Sequence, residues 1–411
     1  MGVMAPHDLS PTPRSAKYIA AAESVLATNY GPIPVVLQRG QGAFLWDVEG
    51  KRYTDCLSGY SALTQGHCHP KIVEAATRQL NTLTLASRVF HHEGMAEFAA
   101  KLSRITGFPR VLPMNTGAEA VETAVKCMRR WGYRKKGIAQ GKAEIIVAER
   151  NFHGRTSTIV SFSTDPTSYG DFGPRMPGFV QVPFGDIEKL AAAVTPNTVG
   201  VFLEPIQGEA GVIIPPDDYL PAVRRLCTER QIALVFDEVQ TGLGRTGKMF
   251  GWQHWDARPD AVTLGKALSG GVMPVSAMCG EDWLLGVFTP GSHGSTFGGS
   301  PMATAVASAA LSVIEDEQLP ERARVLGERA IARLRAGLAA SPKIREIRGK
   351  GLMIAIQFHD EIAHDHALAL AARGILLKDA HGHTLRILPP AVIAEADLDA
   401  AVDVIIDECA S

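Results

Sequence analysis

The chain has 411 residues, with 41 Lys and Arg against 43 Asp and Glu and a formal net charge of -2. That balance gives no reason to expect nucleic acid or an anionic membrane as partner. No apolar run reaches the ~18 residues of a membrane span. The six cysteines are scattered at 56, 68, 127, 227, 279 and 409 without a C-x-x-C pair, so neither a zinc knuckle nor a disulfide framework is indicated.

The opening stretch, MGVMAPHDLSPTPRSAKY, lacks a continuous apolar segment. It is not a secretory signal, and with unpaired cysteines it points to the cytoplasm. Residues 1–14 hold three prolines and read as a mobile arm. SAKYIAAAESVLA reads as a helix and TNYGPIP as a loop. VVLQRGQGAFLWDVEGKRYTDCLSG alternates around Gly and Asp turns, which predicts a small antiparallel meander. From about residue 70, helical periodicity in KIVEAATRQLNTL, GMAEFAAKLSRIT and AEAVETAVKCMRRWGYRKK alternates with short apolar runs. Those runs are EIIVAER, TIVSFS, FVQVP, VGVFLEP, IALVFDE and DAVTLG, the pattern of a mostly parallel sheet covered on both faces. Two long helices follow Pro301, then a β-rich tail, GLMIAIQF and HTLRILPP, and a last helix, EADLDAAVDVIIDEC. The expected class is α/β. Residues 61–300 form a large domain, and residues 1–60 and 301–411 form a smaller α+β domain from both chain ends.

Ligands of open α/β sheets bind beyond the carboxyl ends of the strands. Five such ends are polar and chemically distinct: MNTGAEA, ERNFHGRT, LEPIQGEAG, FDEVQTG and LGKALSGG. Asp237 closes IALVFD, and Lys266 follows the next strand between an apolar run and glycines. A buried carboxylate stays ionised only beside a cation. A lysine in such a setting has a lowered pKa and can serve as a Schiff-base amine. A carboxylate for a pyridinium nitrogen plus a Schiff-base lysine is the pairing expected for pyridoxal phosphate. Thr116, Gly117 and Ala118 open a helix after a strand, where backbone N–H groups favour a phosphate. Each residue alone has a plain structural reading: a turn Asp, a surface lysine, an N-cap threonine. Together they make a site.

Two motifs are decoys. GLGRTG at 242–247 matches a dinucleotide fingerprint and GLGRTGKM nearly matches a P-loop, but no helix start follows and Met249 stands where Ser or Thr is needed. GHCHP (His67, Cys68, His69) and His91-His92 have no further ligands at metal spacing, and no metal is expected.

These segments resemble the class III pyridoxal-phosphate aminotransferases of fold type I. LGKALSGG, FDEVQTGLGRTG and EPIQGEAGV carry the broad likeness. RGQGAFLWDVEGKRYTDCLSGYSALTQGHCHPKIV, MNTGAEAVETAVK, NFHGRT, STDPTSYGDFGPRMPGF, GSHGSTFGG and RGKGL are similar to the branch that acts on ornithine. The resemblance implies that Lys266 holds the cofactor and shuttles a proton, that Asp237 meets the pyridine nitrogen and that Gln240 meets the phenolic oxygen. Phe152 stacks on the ring, and Gly117 and Ala118 hold the phosphate. Thr296 reaches the phosphate of a neighbouring subunit, implying a homodimer with active sites at the interface. Tyr30 and Arg155 hold the α-amino acid end of ornithine, and Tyr60 lines the same pocket. Glu209 pairs with Arg386 while ornithine is bound, then swings away so that Arg386 takes the α-carboxylate of glutamate or 2-oxoglutarate. The implied reaction moves the δ-amino group of L-ornithine to 2-oxoglutarate in a ping-pong cycle, giving glutamate 5-semialdehyde, which cyclises, and glutamate. N-acetylornithine, 4-aminobutyrate and lysine are alternative donors. The chain departs from the pattern at His153 (usually Trp), Gly244 (Ala), Ser300 (Asn) and Leu388 (Ala).

Overall fold

The computed structural model describes residues 9–410. The arm expected at residues 1–14 falls mostly outside them. The helix after it runs Pro13–Glu23, with the Thr12 hydroxyl accepting from Ser15 N.

Three sheets form the frame. The meander is β1 (Leu37–Gln41), β2 (Phe44–Asp47) and β3 (Arg52–Asp55). The main sheet takes β4 (Arg110–Met114), β5 (Glu144–Ala148), β6 (Phe179–Val182), β7 (Thr198–Leu203), β8 (Ala233–Asp237), β9 (Ala261–Leu264) and β10 (Ser276–Gly280). The C-terminal part adds β11 (Ile344–Lys350), β12 (Met353–Phe358), β13 (Ile375–Leu376), β14 (Lys378–Ala380) and β15 (Thr384–Ile387).

The main sheet is ordered β4-β10-β9-β8-β7-β5-β6. β10 pairs antiparallel with β4 and β9, and the pairings from β9 through β6 are all parallel. β7, β8 and β9 are buried at every residue, as their unbroken apolar runs require in a sheet covered on both faces. β13 pairs parallel with β3, so the first sheet is built from both chain ends. The third sheet is ordered β11-β12-β15-β14. The helix Pro301–Asp316 packs on the helices Pro70–Leu80 and Glu93–Thr106 and on the short turn Lys266–Ser269.

TIVSFS is not a strand. Residues Ser157–Val160 form one helical turn capped by the Thr156 hydroxyl. Ile159 and Phe162 are buried there, and the Asn151 side chain donates to Ala148 O and Phe162 O. A cap and a side-chain bridge overrode the short apolar run. β10, SAMCG, has little β-branched content and gave no periodic signal; its partners on both sides make it a strand.

Ser58, Gly59, Tyr60 and Ser61 all have positive φ, between 53° and 74°, a left-handed turn that non-glycine residues adopt only when surroundings force it. Asp55 Oδ1 accepts from Leu57 N and Ser58 N, and Ser58 Oγ donates to Leu388 O.

Candidate active site

The carboxyl ends of β4, β5, β7, β8 and β9 converge on a cavity of about 180 Å³ lined by Gly117, Ala118, Phe152, Asp237, Gln240 and Lys266, among others. It adjoins a wider one of about 750 Å³ that shares Phe152, Glu209 and Lys266 and adds Tyr30, Tyr60 and Arg155.

Asp237 is 5% exposed. Its Oδ1 accepts from Val239 N (3.0 Å) and Thr263 Oγ1 (3.1 Å), and its Oδ2 lies 2.6 Å from His153 Nδ1. We assign the ring proton to Nδ1, since Asp237 only accepts. The His153 ring stacks on Phe202 at 4.5 Å, and its buried Nε2 has no hydrogen-bond partner.

Lys266 begins a short 3-10 turn with φ 41°, a strained conformation for a side-chain-bearing residue. Its side chain is deeply enclosed but opens to the cavity. Burial lowers its pKa, and the carboxylates of Glu209, Asp237 and Glu204 only partly oppose that. An amine of this kind is more often unprotonated, as a nucleophile requires.

At the helix Gly117–Trp131, the Thr116 hydroxyl accepts from Glu119 N while the Glu119 carboxylate accepts from Thr116 N. That capping box occupies Thr116, whereas Gly117 and Ala118 line the cavity. A Cβ on Gly117 would meet Val239 Cγ1 at 3.0 Å.

Opposite, Glu209 Oε1 lies 2.8 Å from Arg386 Nη1 and accepts from Gln240 Nε2 at 3.2 Å. The Arg386 side chain is 4% exposed, and its Nε and Nη1 have no well-aligned hydrogen bond. The pair is therefore an ion contact with N–H capacity to spare. Burial alone would raise the Glu209 carboxyl; Arg386, Lys266 and the Gln240 amide outweigh it and hold it low. The Arg386 guanidinium stands 5.3 Å from the Tyr60 ring, and Arg155 stands 5.7 Å from the Phe152 ring. Tyr30 is 79% exposed, so it does not serve the core. Thr296 is exposed and does not line the cavity of its own chain.

The cavity suits a flat phosphorylated pyridine aldehyde. It offers backbone N–H groups at a helix start, an aromatic face, a buried carboxylate and an enclosed amine. Three contributors were not singled out as site residues from sequence. His153 showed only as a departure from pattern. Thr263 lay inside an apolar run. Glu204 directly follows β7, accepts from Phe152 N (3.1 Å), and is pushed up to about 7 by burial; its place at a strand end was the available signal.

The decoys have structural roles. Arg245 of GLGRTG is fully buried, and its guanidinium donates to Leu352 O and Pro389 O. His67 pairs with Asp55 at 2.7 Å and His69 with Glu317 at 3.0 Å. Among the departures, Ser300 caps the helix Pro301–Asp316, as Asn would. Gly244 sits at φ 96° with Pro320 3.3 Å from a built Cβ, a position that strains any other residue.

Comparison with known proteins gives the family. The family model Aminotransferase class-III matches residues 25–408. An ornithine aminotransferase of Bordetella pertussis is 51% identical over 391 residues, covering 95% of this chain and 94% of that protein. A Toxoplasma gondii ornithine aminotransferase structure, with PLP in partial occupancy at its active site, is 42% identical with a TM-score of 0.95 and covers 96% of this chain and 94% of that one. An acetylornithine aminotransferase structure from Elizabethkingia anophelis is 44% identical with a TM-score of 0.87, covering 96% and 98%. A family model matched over residues 25–408 joins the lysine beyond β9 and the carboxylate at the end of β8, and the chain belongs to the class III aminotransferases of fold type I.

Proposed function

We propose that this enzyme transfers the δ-amino group of L-ornithine to 2-oxoglutarate, with pyridoxal phosphate as cofactor. The observation that carries the reading is the Glu209–Arg386 contact at 2.8 Å beside Lys266. A carboxylate over the guanidinium keeps an α-carboxylate away from it. The free α-amino acid end of ornithine then goes to Tyr30 and Arg155, which leaves the δ-amine at Lys266. When Glu209 turns aside, Arg386 offers a planar fork to the α-carboxylate of glutamate or 2-oxoglutarate.

Bound in this cavity, the cofactor supplies an aldehyde for amines and a ring that accepts an electron pair. The chain's own groups do the rest. Lys266 would hold the cofactor through its amine and would carry the proton taken from the amine-bearing carbon of the substrate. Asp237, held by His153, Thr263 and Val239 N, would face the pyridine nitrogen. Gln240 would meet the ring oxygen, Phe152 would cover one face, and the Thr116–Ala118 turn would hold the phosphate through the Gly117 and Ala118 N–H groups. We assign Thr296 to the phosphate of a second copy, so the working unit is a homodimer. Among the described residues no helix is long and apolar enough to cross a membrane.

The likeness to an acetylornithine enzyme at 44% identity favours a second donor, N-acetylornithine. The exposed Tyr30 and the Arg155 guanidinium support the free amino acid instead. Steady-state comparison of the two donors with 2-oxoglutarate decides, using o-aminobenzaldehyde to trap the cyclised product from ornithine. Ornithine is expected to give the higher kcat/KM; a preference for the acetylated donor overturns the assignment.

A further inference from the structure

RGKGL, Arg348 to Leu352, is family-like but finds no place in the chemistry above. Arg348 is 7% exposed and reaches the loop that carries Glu209. That loop is closed at its base by paired backbone bonds, Gln207 N to Ile213 O (3.1 Å) and Ile213 N to Gln207 O (2.9 Å). Within it Gly211 has φ 106° and Val212 φ 57°. A β-branched residue at positive φ is an outlier that holds only under outside restraint.

The restraint is visible. Arg348 Nη2 donates to Gly211 O at 2.6 Å, and Nε donates to Val212 O at 2.8 Å. The remaining nitrogen, Nη1, donates to Gln357 Oε1 (2.6 Å) and Glu346 Oε2 (2.7 Å), which orients the fork. From the other side Arg150 Nη2 donates to Ala210 O at 3.0 Å. Gly208 has no room for a side chain, since a Cβ there would fall 1.4 Å from Gln240 Oε1. The loop tip is therefore set between Gln240 and two arginines.

The register of the third sheet adds the decisive relation. Arg348 on β11 faces Ala355 on β12, and Ala355 faces Arg386 on β15. The two arginines occupy one rung, two strand spacings or ~10 Å apart. Residues directly opposite share a sheet face, and the residue between them is an alanine. One rung thus presents the arginine that meets Glu209 and the arginine that holds the backbone of Glu209's loop.

We propose that Arg348 is a positioning residue that fixes Glu209 against Arg386 and so decides which end of an amino acid Arg386 receives. The inference rests on the ornithine reading above. With the loop anchored to the rung of Arg386, Glu209 opens by side-chain rotation alone, and its closed state is favoured. Without the anchor the strained loop relaxes, Glu209 drifts from Arg386, and the guanidinium is open to any α-carboxylate.

The test uses the holoenzyme of wild type, Arg348→Met and Arg348→Lys. Each half-reaction is followed separately by cofactor absorbance with ornithine or glutamate, and glutarate, a dicarboxylate that cannot react, is titrated by calorimetry. Arg348→Met is expected to raise the KM for ornithine about tenfold and tighten glutarate binding about threefold, with kcat in each half-reaction changed less than about twofold. Arg348→Lys, a point charge that cannot grip two carbonyls, is expected to fall between. Opposite shifts for the two ligands are what a packing role would not produce. Equal weakening of both, or no change in either, overturns the proposal. Should Arg348→Met not fold, Arg348→Lys and Gln357→Leu, which removes the orienting acceptor, carry the same two readouts. If the wild type turns over no ornithine, the ornithine reading fails by itself; the glutarate shift on loss of Arg348 still judges the clamp.

Discussion

Five strand ends of a single sheet supply the cavity around Lys266, whereas the wall facing it is assembled from segments that run from Tyr30 to Arg386. In the first region each group follows an apolar run within a few residues, and a buried strand dictates where its end points. In the second region no local pattern places anything. Tyr60 rides a left-handed turn fastened to Leu388 O, Glu209 rides a strained loop fastened by Arg348, and Arg386 arrives on β15 through pairing with β12. The groups proposed to hold the cofactor sit on the rigid sheet. The groups proposed to choose the substrate sit where separate parts of the chain meet and small shifts in packing move them.

Substitutions should sort by this division. Lys266→Ala removes the amine on which everything in the first region converges, and turnover should fall by at least about 10⁴-fold for every donor; product formation with ornithine and with glutamate measures it. A variant that cycles at the wild-type rate would remove Lys266 from the mechanism. Asp237→Asn keeps shape and loses charge, and kcat should fall by roughly 10²–10³-fold, again equally for both half-reactions. Arg386→Lys touches only the second region. It should raise the KM for 2-oxoglutarate by about 10–100-fold through loss of the bidentate fork, with a smaller effect on ornithine; equal effects on both substrates would erase the contrast.

The smallest effect concerns stability. Burial raises the pKa of Glu204 in the folded protein to about 7, above its ordinary value of 4.5. Its folded state therefore favours the protonated form. The associated stability is fully present below about 4.5 and is lost as the pH rises through about 7. Glu204→Gln keeps an acceptor for Phe152 N and cannot ionise. Melted free of cofactor, the variant should match wild type at pH 4.5 and exceed it at pH 8.5 by on the order of 2 kcal/mol. A constant difference across that range would show that Glu204 does not titrate there.

Legibility followed burial. The strands β5, β7, β8 and β9 were plain because runs such as VGVFL have few other places in a fold. TIVSFS misled because a short apolar run also fits a capped helical turn whose apolar side chains face inward. GLGRTG looked like a phosphate loop, yet its arginine is a buried tie between Leu352 O and Pro389 O. His153 was visible as an unusual residue, but its contact with Asp237 joins positions 84 residues apart.

By itself the sequence determined the class of fold, the parallel strands β5 to β9 of the main sheet, and the chemical types brought to the strand ends, because hydrophobic periodicity and buried strands are local properties. The resemblance had already paired Glu209 with Arg386 and put Tyr60 in the pocket; only the tertiary structure decided that Arg348 holds the loop of Glu209, that Arg348 and Arg386 share one rung, and that a left-handed turn fastened to Leu388 O carries Tyr60. Each of these depends on register between distant strands or on strain paid by distant hydrogen bonds, and a linear pattern carries neither.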